Sequence, residues 1–367
     1  MFKSQKAGHR LLLTFSLALA LCVSGGRSRA QAPTAPLLLT MRGDLWTWTG
    51  PRAALVQRTA WGYNQAPILS PGGAQVAYKS SAQLAVNVIK AKGPINGTDL
   101  PANIWIDDVG SNNAIRIADQ PTDGSFLQDG TGDHYVIRST PAWSPDGSAV
   151  AWTELVVTAN NANPDQQLWL YDLAQQRPKL VVPDLPPYAG VPAALEVKWG
   201  RPGLAVWSVA AEVDAAGNTV AQDAVLIYDP NGKHLVSVKI AALSEFTWLT
   251  DNGKDYLAML AKGKANTPLH DLQWLLLDPV TGTISGMPGV PELYSLKAPD
   301  GLSLFPASMG AGPDWQIAAP GQTPVKLGAI DDVYAFTPML AISSDGTAIA
   351  YVKQGSAYIY TGGASTR

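Results

Sequence analysis

Short stretches that alternate apolar and polar positions, each closed by a turn signal, recur along nearly all of this 367-residue chain. The clearest runs Thr140-Pro141-Ala142-Trp143-Ser144-Pro145-Asp146-Gly147-Ser148-Ala149-Val150-Ala151-Trp152. It returns as Ala66 to Tyr78 and as Leu340 to Tyr351, with weaker copies at Lys198 to Trp207, Trp248 to Gly253 and Ala298 to Gly301. In Ser-Pro-Asp-Gly the proline presets φ, the aspartate tolerates the next position, and the glycine takes the left-handed conformation that returns the chain. Each copy therefore predicts a hairpin, and the following Val-Ala-Trp or Ile-Ala-Tyr predicts a half-buried strand.

A second unit follows each of these, typified by Leu168-Trp169-Leu170-Tyr171-Asp172 and then Lys179-Leu180-Val181-Val182. Its relatives include Asn103 to Asp108, Val225 to Pro230, Trp274 to Pro279 and, at the ends, Gly43 to Trp48 and Gly355 to Tyr360. Together the units predict four antiparallel strands, A to D. One such sheet cannot bury both of its faces, so successive sheets must pack face to face around an axis. The expected fold is all-β, a β-propeller of four-stranded antiparallel blades, with most Trp and Tyr filling space between neighbouring blades. The B–C hairpin occurs seven times and the A-strand turn six times, which favours seven blades. Six, with terminal strands shared, is the alternative. The first unit is expected to lack an A strand and the last a D strand. The insertions at 82–102 and 156–166 fall in B–C hairpins and are read as loops enlarging one rim.

Composition fits this reading. Charged residues make up 15% of the chain, against about 25% in an average soluble domain, while there are 12 Trp, 34 Gly and 28 Pro. The N-terminus adds an address. Lys3, Lys6 and Arg10 precede the apolar run Leu11 to Val23, and Ser28-Arg29-Ala30 offers a small-residue cleavage site before Gln31. This is the three-part layout of a secretory signal peptide over 1–30, leaving 31–367 as a single propeller domain. An uncleaved anchor is the alternative. The expected location is outside the cell or in the periplasm and cell envelope. Cys22 is the sole cysteine and sits in a lipobox-like Leu19-Ala20-Leu21-Cys22, but Leu21 replaces the small residue that lipidation wants. A lipoprotein is thus the lesser alternative. Five of the 26 basic residues lie in 1–30 with no acid, so the remainder carries 21 basic against 29 acidic residues, a net charge of −8. A mildly acidic chain without Lys/Arg runs points away from nucleic acid, and nothing after residue 36 has the roughly 18 unbroken apolar residues of a membrane span.

The pattern Trp143-Ser144-Pro145-Asp146-Gly147 … Val150-Ala151-Trp152 resembles the TolB-like, WD40-like (PD40) β-propeller family, whose repeats also occur in tricorn-type and prolyl-oligopeptidase-type propellers. The resemblance covers about residues 37–361. TolB proteins carry an α/β domain ahead of the propeller, and prolyl-oligopeptidase-type enzymes carry a hydrolase domain. Neither is expected here, because the first hairpin begins soon after Gln31 and the chain ends just past the last hairpin. A Tol–Pal role and a peptidase role are therefore not implied.

Candidate chemistry is sparse. Beyond the signal the histidines are His134, His234 and His270, and there is no Gly-x-Ser-x-Gly elbow, His-Glu-x-x-His or phosphate loop. No catalytic residue, cofactor or metal is assigned. The Asp129 to Asp133 loop lacks the spacing of a calcium loop and reads as a plain loop. Ligands of propellers sit at the channel mouth, near the D–A loops and the starts of the A strands. Aligned on Trp143, Glu196, Glu245 and Tyr294 occupy matching positions, with Lys198 two residues on. The D–A loops add Trp61, Tyr63 and Asn64, then Asp133, His134, Tyr135 and Arg138, then Asp331, Asp332 and Tyr334. Converging acids and aromatics suit a cationic, sugar-like or peptide ligand, and a water-filled channel rim is the plainer alternative. The expected function is a monomeric binding or scaffold module for a protein, peptide or glycan. The alternative is a propeller enzyme of lyase or hydrolase type using acids at the channel mouth.

Overall fold

The computed structural model describes residues 37–48, 54–92, 101–111, 113–121, 134–158, 165–186, 196–213, 217, 219–240, 243–251, 253–262, 272–286, 296–297, 303–306, 315–318, 323–330, 332–334, 337–338, 340–342, 348–354, 356–360 and 365–366. The first sheet holds β1 (Leu37–Met41), β2 (Asp44–Trp48) and β3 (Val56–Gln57). The second holds β4 (Asn64–Leu69), β5 (Gln75–Ser81), β6 (Ala102–Asp108) and β7 (Ile115–Ala118), with helix α1 (Gln83–Lys92) between β5 and β6. The third comprises β8 (His134–Arg138), β9 (Ala142–Trp143), β10 (Ala149–Thr158), β11 (Asp165–Asp172) and β12 (Arg177–Val182), with β8 and β9 both pairing β10 as two parts of one A strand.

The fourth sheet is β13 (Glu196–Gly200), β14 (Gly203–Val213), β15 (Thr219–Tyr228) and β16 (His234–Ile240). The fifth is β17 (Leu243–Asp251), β18 (Lys254–Lys262), β19 (Leu272–Leu277) and β20 (Ile284–Gly286), and the sixth is β21 (Leu296–Lys297), β22 (Ser303–Pro306), β23 (Trp315–Ala318) and β24 (Val325–Gly328). A two-stranded ribbon, β25 (Asp332–Tyr334) and β26 (Thr337–Pro338), precedes the last sheet of β27 (Leu340–Ile342), β28 (Ile349–Lys353), β29 (Ser356–Tyr360) and β30 (Ser365–Thr366). Every pairing among the described residues is antiparallel and, apart from β8 with β10, between neighbours in sequence, the up-and-down meander of a propeller-type all-β fold.

The turns form for the expected local reasons. Gly147 sits at φ +74°, and Asp146 Oδ1 accepts from the Ser148 backbone at 3.0 Å and from the Ser144 hydroxyl at 2.6 Å. The C–D turns use another aspartate in the same way. Asp172, Asp229 and Asp278 each accept backbone N–H groups from the residues that follow them. These are Asx-type turns, in which the carboxylate stands in for a backbone carbonyl.

Sheet faces then pack on one another. Leu38 and Leu45 of the first sheet meet Val76 and Tyr78 of the second. Ile104 and Ile106 meet Trp143, Val150 and Trp152, and Leu168 and Leu170 meet Leu204 and Val206. Val225 and Ile227 meet Phe246 and Leu257, and Trp315 and Ile317 meet Ile349 and Tyr360. Each fully buried Leu, Ile or Val contributes roughly 1.5–3 kcal/mol, so the interfaces between sheets are where this fold is held together. Leu37, Leu39 and Trp48 of the first sheet pack with Ala348, Ala350 and Ile359 of the last. Among the described residues these two sheets share no strand and meet through side chains.

Two expectations are corrected. The last sheet does possess a fourth strand, because Ser365 and Thr366 pair with Tyr360 and Ile359. The 82–102 insertion is not simply a loop. Residues 83–92 form α1, whose Ala85 and Val86 are fully buried, together with Ala82 just before it. The spacing of Ala82, Ala85 and Val86 is helical, and the helix forms because that stripe can bury itself.

Candidate functional site

The first strands of consecutive sheets lie side by side, with β4 beside β9, β9 beside β13, and β13 beside β17. Each is an edge strand of its sheet, pairing among the described residues only with its B strand. Glu196 and Lys198 are two apart on β13, so strand alternation aims both at one face. Their side chains form an ion pair of 2.6 Å and remain 26% and 33% exposed. Glu245 joins them from β17. Burial pushes its carboxyl up to about 6, with Lys198 pulling the other way and Glu196 adding repulsion. Burial also works against the charge of Lys198, but Glu196 first and Glu245 second outweigh it and hold the ammonium above its ordinary value. Two carboxylates thus share one cation. The trio carries one excess negative charge at neutral pH and takes up a proton near pH 6. Such a cluster can hold a cationic group or exchange a proton.

Arg138 is placed differently. Its Nε donates to Glu154 Oε1 at 2.7 Å, one terminal nitrogen donates to the Ala102 carbonyl at 2.7 Å, and the other to the Asp119 carbonyl at 2.7 Å. With Arg138 and Glu154 side chains 4% and 9% exposed, this is a buried tie between the second and third sheets. Trp152 donates to the same Glu154 oxygen at 2.8 Å. Gln120 supports the tie. Its amide donates to the Val136 carbonyl at 2.9 Å and accepts from the Val136 N–H at 2.9 Å, imitating a strand neighbour.

His134 and Tyr135 open β8 and line a groove with Ala82, Leu84, Ala85, Pro101, Gln120 and Pro121. Burial raises the Tyr135 hydroxyl. On the side of α1 that carries Lys90 stand Trp61 and Tyr63, edge to face with ring centroids 5.7 Å apart. Lys90 Nζ lies 5.7 Å from the Trp61 ring and 5.8 Å from the Tyr63 ring. Asn64 is buried in a polar network beneath them, donating to Asp44 Oδ1 at 3.2 Å and to the Thr59 hydroxyl at 2.9 Å. Asp44 also accepts from Thr59 at 2.9 Å and from the Gly62 N–H at 2.9 Å. This network fastens the β1–β2 turn to the connection before β4.

The expected site residues therefore separate. Glu196, Lys198 and Glu245 come together. Trp61 and Tyr63 pair beside α1, and His134 and Tyr135 line a separate groove against α1. Asn64 and Arg138 serve polar networks between sheets. Asp332 and Tyr334 lie on β25, while Asp133, Tyr294 and Asp331 lie outside the described residues, as do His270 and the Asp129 to Asp133 loop. His234 is exposed and rests edge-on against Tyr228 at 5.4 Å. Sequence reading missed Lys90, Glu154, Asp44 and Gln120. Only Lys90 carried a local signal, through the helical pattern around it. Among the described residues no group of three or more His, Cys, Asp or Glu stands ready to hold a metal, and no helix is long and apolar enough to cross a membrane.

No family model matches the chain, and no curated protein matches it in sequence. Among solved structures, an acylaminoacyl peptidase in complex with Z-Gly-Gly-Phe-chloromethyl ketone is similar at 13% identity and a TM-score of 0.47, over 83% of this chain and 45% of that one. The β-propeller domain of the Trilobed protease from Pyrococcus furiosus is similar at 14% identity and a TM-score of 0.43, over 83% and 84% of the two chains. A Hadza microbial sialidase is similar at 10% identity and a TM-score of 0.44, over 85% of this chain and 71% of that one. The chain spans less than half the length of the acylaminoacyl peptidase. The fold assignment rests on the sheets themselves, and no activity is carried over.

Proposed function

We propose that the chain is an exported, TolB-like propeller of seven blades that binds a protein, peptide or glycan through the rim bearing its D–A and B–C connections. In an up-and-down meander these two connections share one end of every sheet, so α1, Trp61, Tyr63, His134 and Tyr135 belong to one rim. Among the described residues, seven sheets of three or more strands, with the two-stranded ribbon before the last, support the blade number. The packing of Leu37 and Leu39 on Ala350 and Ile359 supports closure by side chains, without a shared strand.

The observation that carries the binding reading is the half-buried trio of Glu196, Lys198 and Glu245 on neighbouring A strands. Holding charge partly out of water costs stability, and the hydrophobic interfaces hold the sheets together without it. A charged cluster retained at that cost is accounted for by a ligand. The test is recovery from cell-envelope extract on immobilised residues 31–367, wild type against K198E. A partner retained by wild type and lost by K198E is expected. Equal recovery on both would overturn the reading.

One observation favours a second reading, a lyase or hydrolase type of enzyme. The Glu245 carboxyl, at about 6, is poised to exchange a proton near neutral pH. Panels of oligosaccharides and peptides incubated with wild type and E245Q, then analysed by mass spectrometry, separate the two. Products formed by wild type alone would assign the enzyme, and intact substrates with both proteins leave binding.

A further inference from the structure

We propose that the corner between Trp61 and Tyr63 is a subsite for a methylated, quaternary ammonium group, occupied in the free protein by its own Lys90. The proposal deepens the rim reading above and rests on it. Trp61 and Tyr63 lie in the connection between β3 and β4, edge to face at 5.7 Å and 61°, forming two walls of a corner. The indole N–H of Trp61 donates to the Ser81 carbonyl at 3.1 Å, at the end of β5. That bond fixes the indole by its N–H edge. Both aromatics are half-buried, so neither is spent entirely on the core.

Lys90 shows what the corner accepts. Its ammonium stands at 5.7 and 5.8 Å from the two ring centroids, within the range of a cation–π contact to both. Lys90 is exposed, and its ammonium faces the two rings and water. A corner walled by aromatic rings is less well matched to a primary ammonium, which gives up hydrogen bonds to water on entering it. It is well matched to a quaternary ammonium, which has no N–H to satisfy and is weakly hydrated. Exposed cation–π contacts are weak, and Lys90 sits on an inserted helix at the rim. It is therefore a displaceable occupant, and an incoming cation has to compete with it.

The chemistry is shared by a phosphocholine headgroup and a trimethyllysine side chain. The experiment follows the indole N–H of Trp61 in 15N-labelled residues 31–367, identified by the cross-peak lost in W61F. Tetramethylammonium chloride is added against sodium chloride at equal ionic strength. The expected result is a saturable shift of that peak in K90Q, with a midpoint about threefold or more below that of wild type. K90R, which keeps the cation, stays at or above the wild-type midpoint, and Y63L, which removes a wall, loses the saturable shift. Phosphocholine and Nε-trimethyllysine are then compared, and the lower midpoint names the source. A K90Q protein with a dispersed, folded spectrum whose Trp61 peak moves no further than in sodium chloride would overturn the proposal. So would equal midpoints for K90Q and wild type. Neither result depends on partner recovery from the envelope, so failure here and failure of the rim reading are told apart.

Discussion

The indole nitrogen of Trp248 donates to the backbone carbonyl of Lys198 at 3.1 Å, tying the A strand of one sheet to the A strand before it. Trp143 makes the equivalent bond to Ile68 at 2.9 Å, one residue ahead of the matching column in the preceding copy. The repeated tryptophan thus has two roles, filling space between sheets and setting the register of neighbouring A strands. That register is what brings Glu245 to Glu196 and Lys198.

Gly200 makes the contact possible. A Cβ at this position would lie 2.4 Å from the Trp248 ring, so G200A must displace the indole and strain the Lys198 bond. We expect a loss of roughly 1–3 kcal/mol in urea denaturation, as for other overpacked interiors. W248F keeps most of the volume but leaves the carbonyl unpaired, with an expected loss of about 1–2 kcal/mol. Unchanged midpoints in both variants would remove the strand-register role.

The raised carboxyl of Glu245 makes stability depend on pH in a predictable direction. Its folded value of about 6 lies above the ordinary 4.5, so the folded state binds the proton more tightly than the unfolded state. Below pH 4.5 both states are protonated and there is no penalty. As pH rises through this window the unfolded chain ionises first, and the fold loses about 1–2 kcal/mol by pH 7. E245Q abolishes the carboxyl and its penalty. It should therefore be more stable than wild type at pH 7.5 and equal to it at pH 4. Parallel stability curves for the two proteins across this range would contradict the assignment.

Arg138 and Glu154 form a buried pair, and removing one partner strands the other. R138A is expected to cost about 3–5 kcal/mol, because Glu154 then keeps a buried charge that, among the described residues, only the Trp152 side chain bonds. R138M/E154M removes both charges together and should be less destabilised than the sum of the two single variants. A double-mutant cycle in guanidinium chloride reads the difference, and strict additivity would mean that the pair is not coupled.

Asp146 reports the hairpin turn. Hydrogen bonds from the Ser144 hydroxyl first, then from the Ser148 backbone and hydroxyl, hold its carboxyl down to about 2. A depressed value stabilises the fold above pH 4 and is lost as pH falls toward 2. D146A should lower the thermal midpoint at pH 7 and lose that difference at pH 2. Carboxyl 13C titration of the wild type checks the value directly, and an ordinary titration near 4 would remove the turn's contribution.

The sequence by itself determined the features whose causes are local or periodic. Ser-Pro-Asp-Gly makes its own turn, Asp278 caps its own loop, and Val-Ala-Trp alternates as a strand wherever it stands. The column shared by Glu196 and Glu245 was legible because identical registers in successive sheets carry matching positions to neighbouring strands. Tertiary structure alone decided the rest, because those contacts join residues that no local pattern relates. Arg138 reaches back to carbonyls on the second sheet, Asp44 is bound by Thr59, Gly62 and Asn64 across a sheet boundary, and Lys90 meets Trp61 only once α1 has docked. Their partners are set by how one sheet face lies on the next, and that is fixed by packing over the whole chain rather than by any stretch of it.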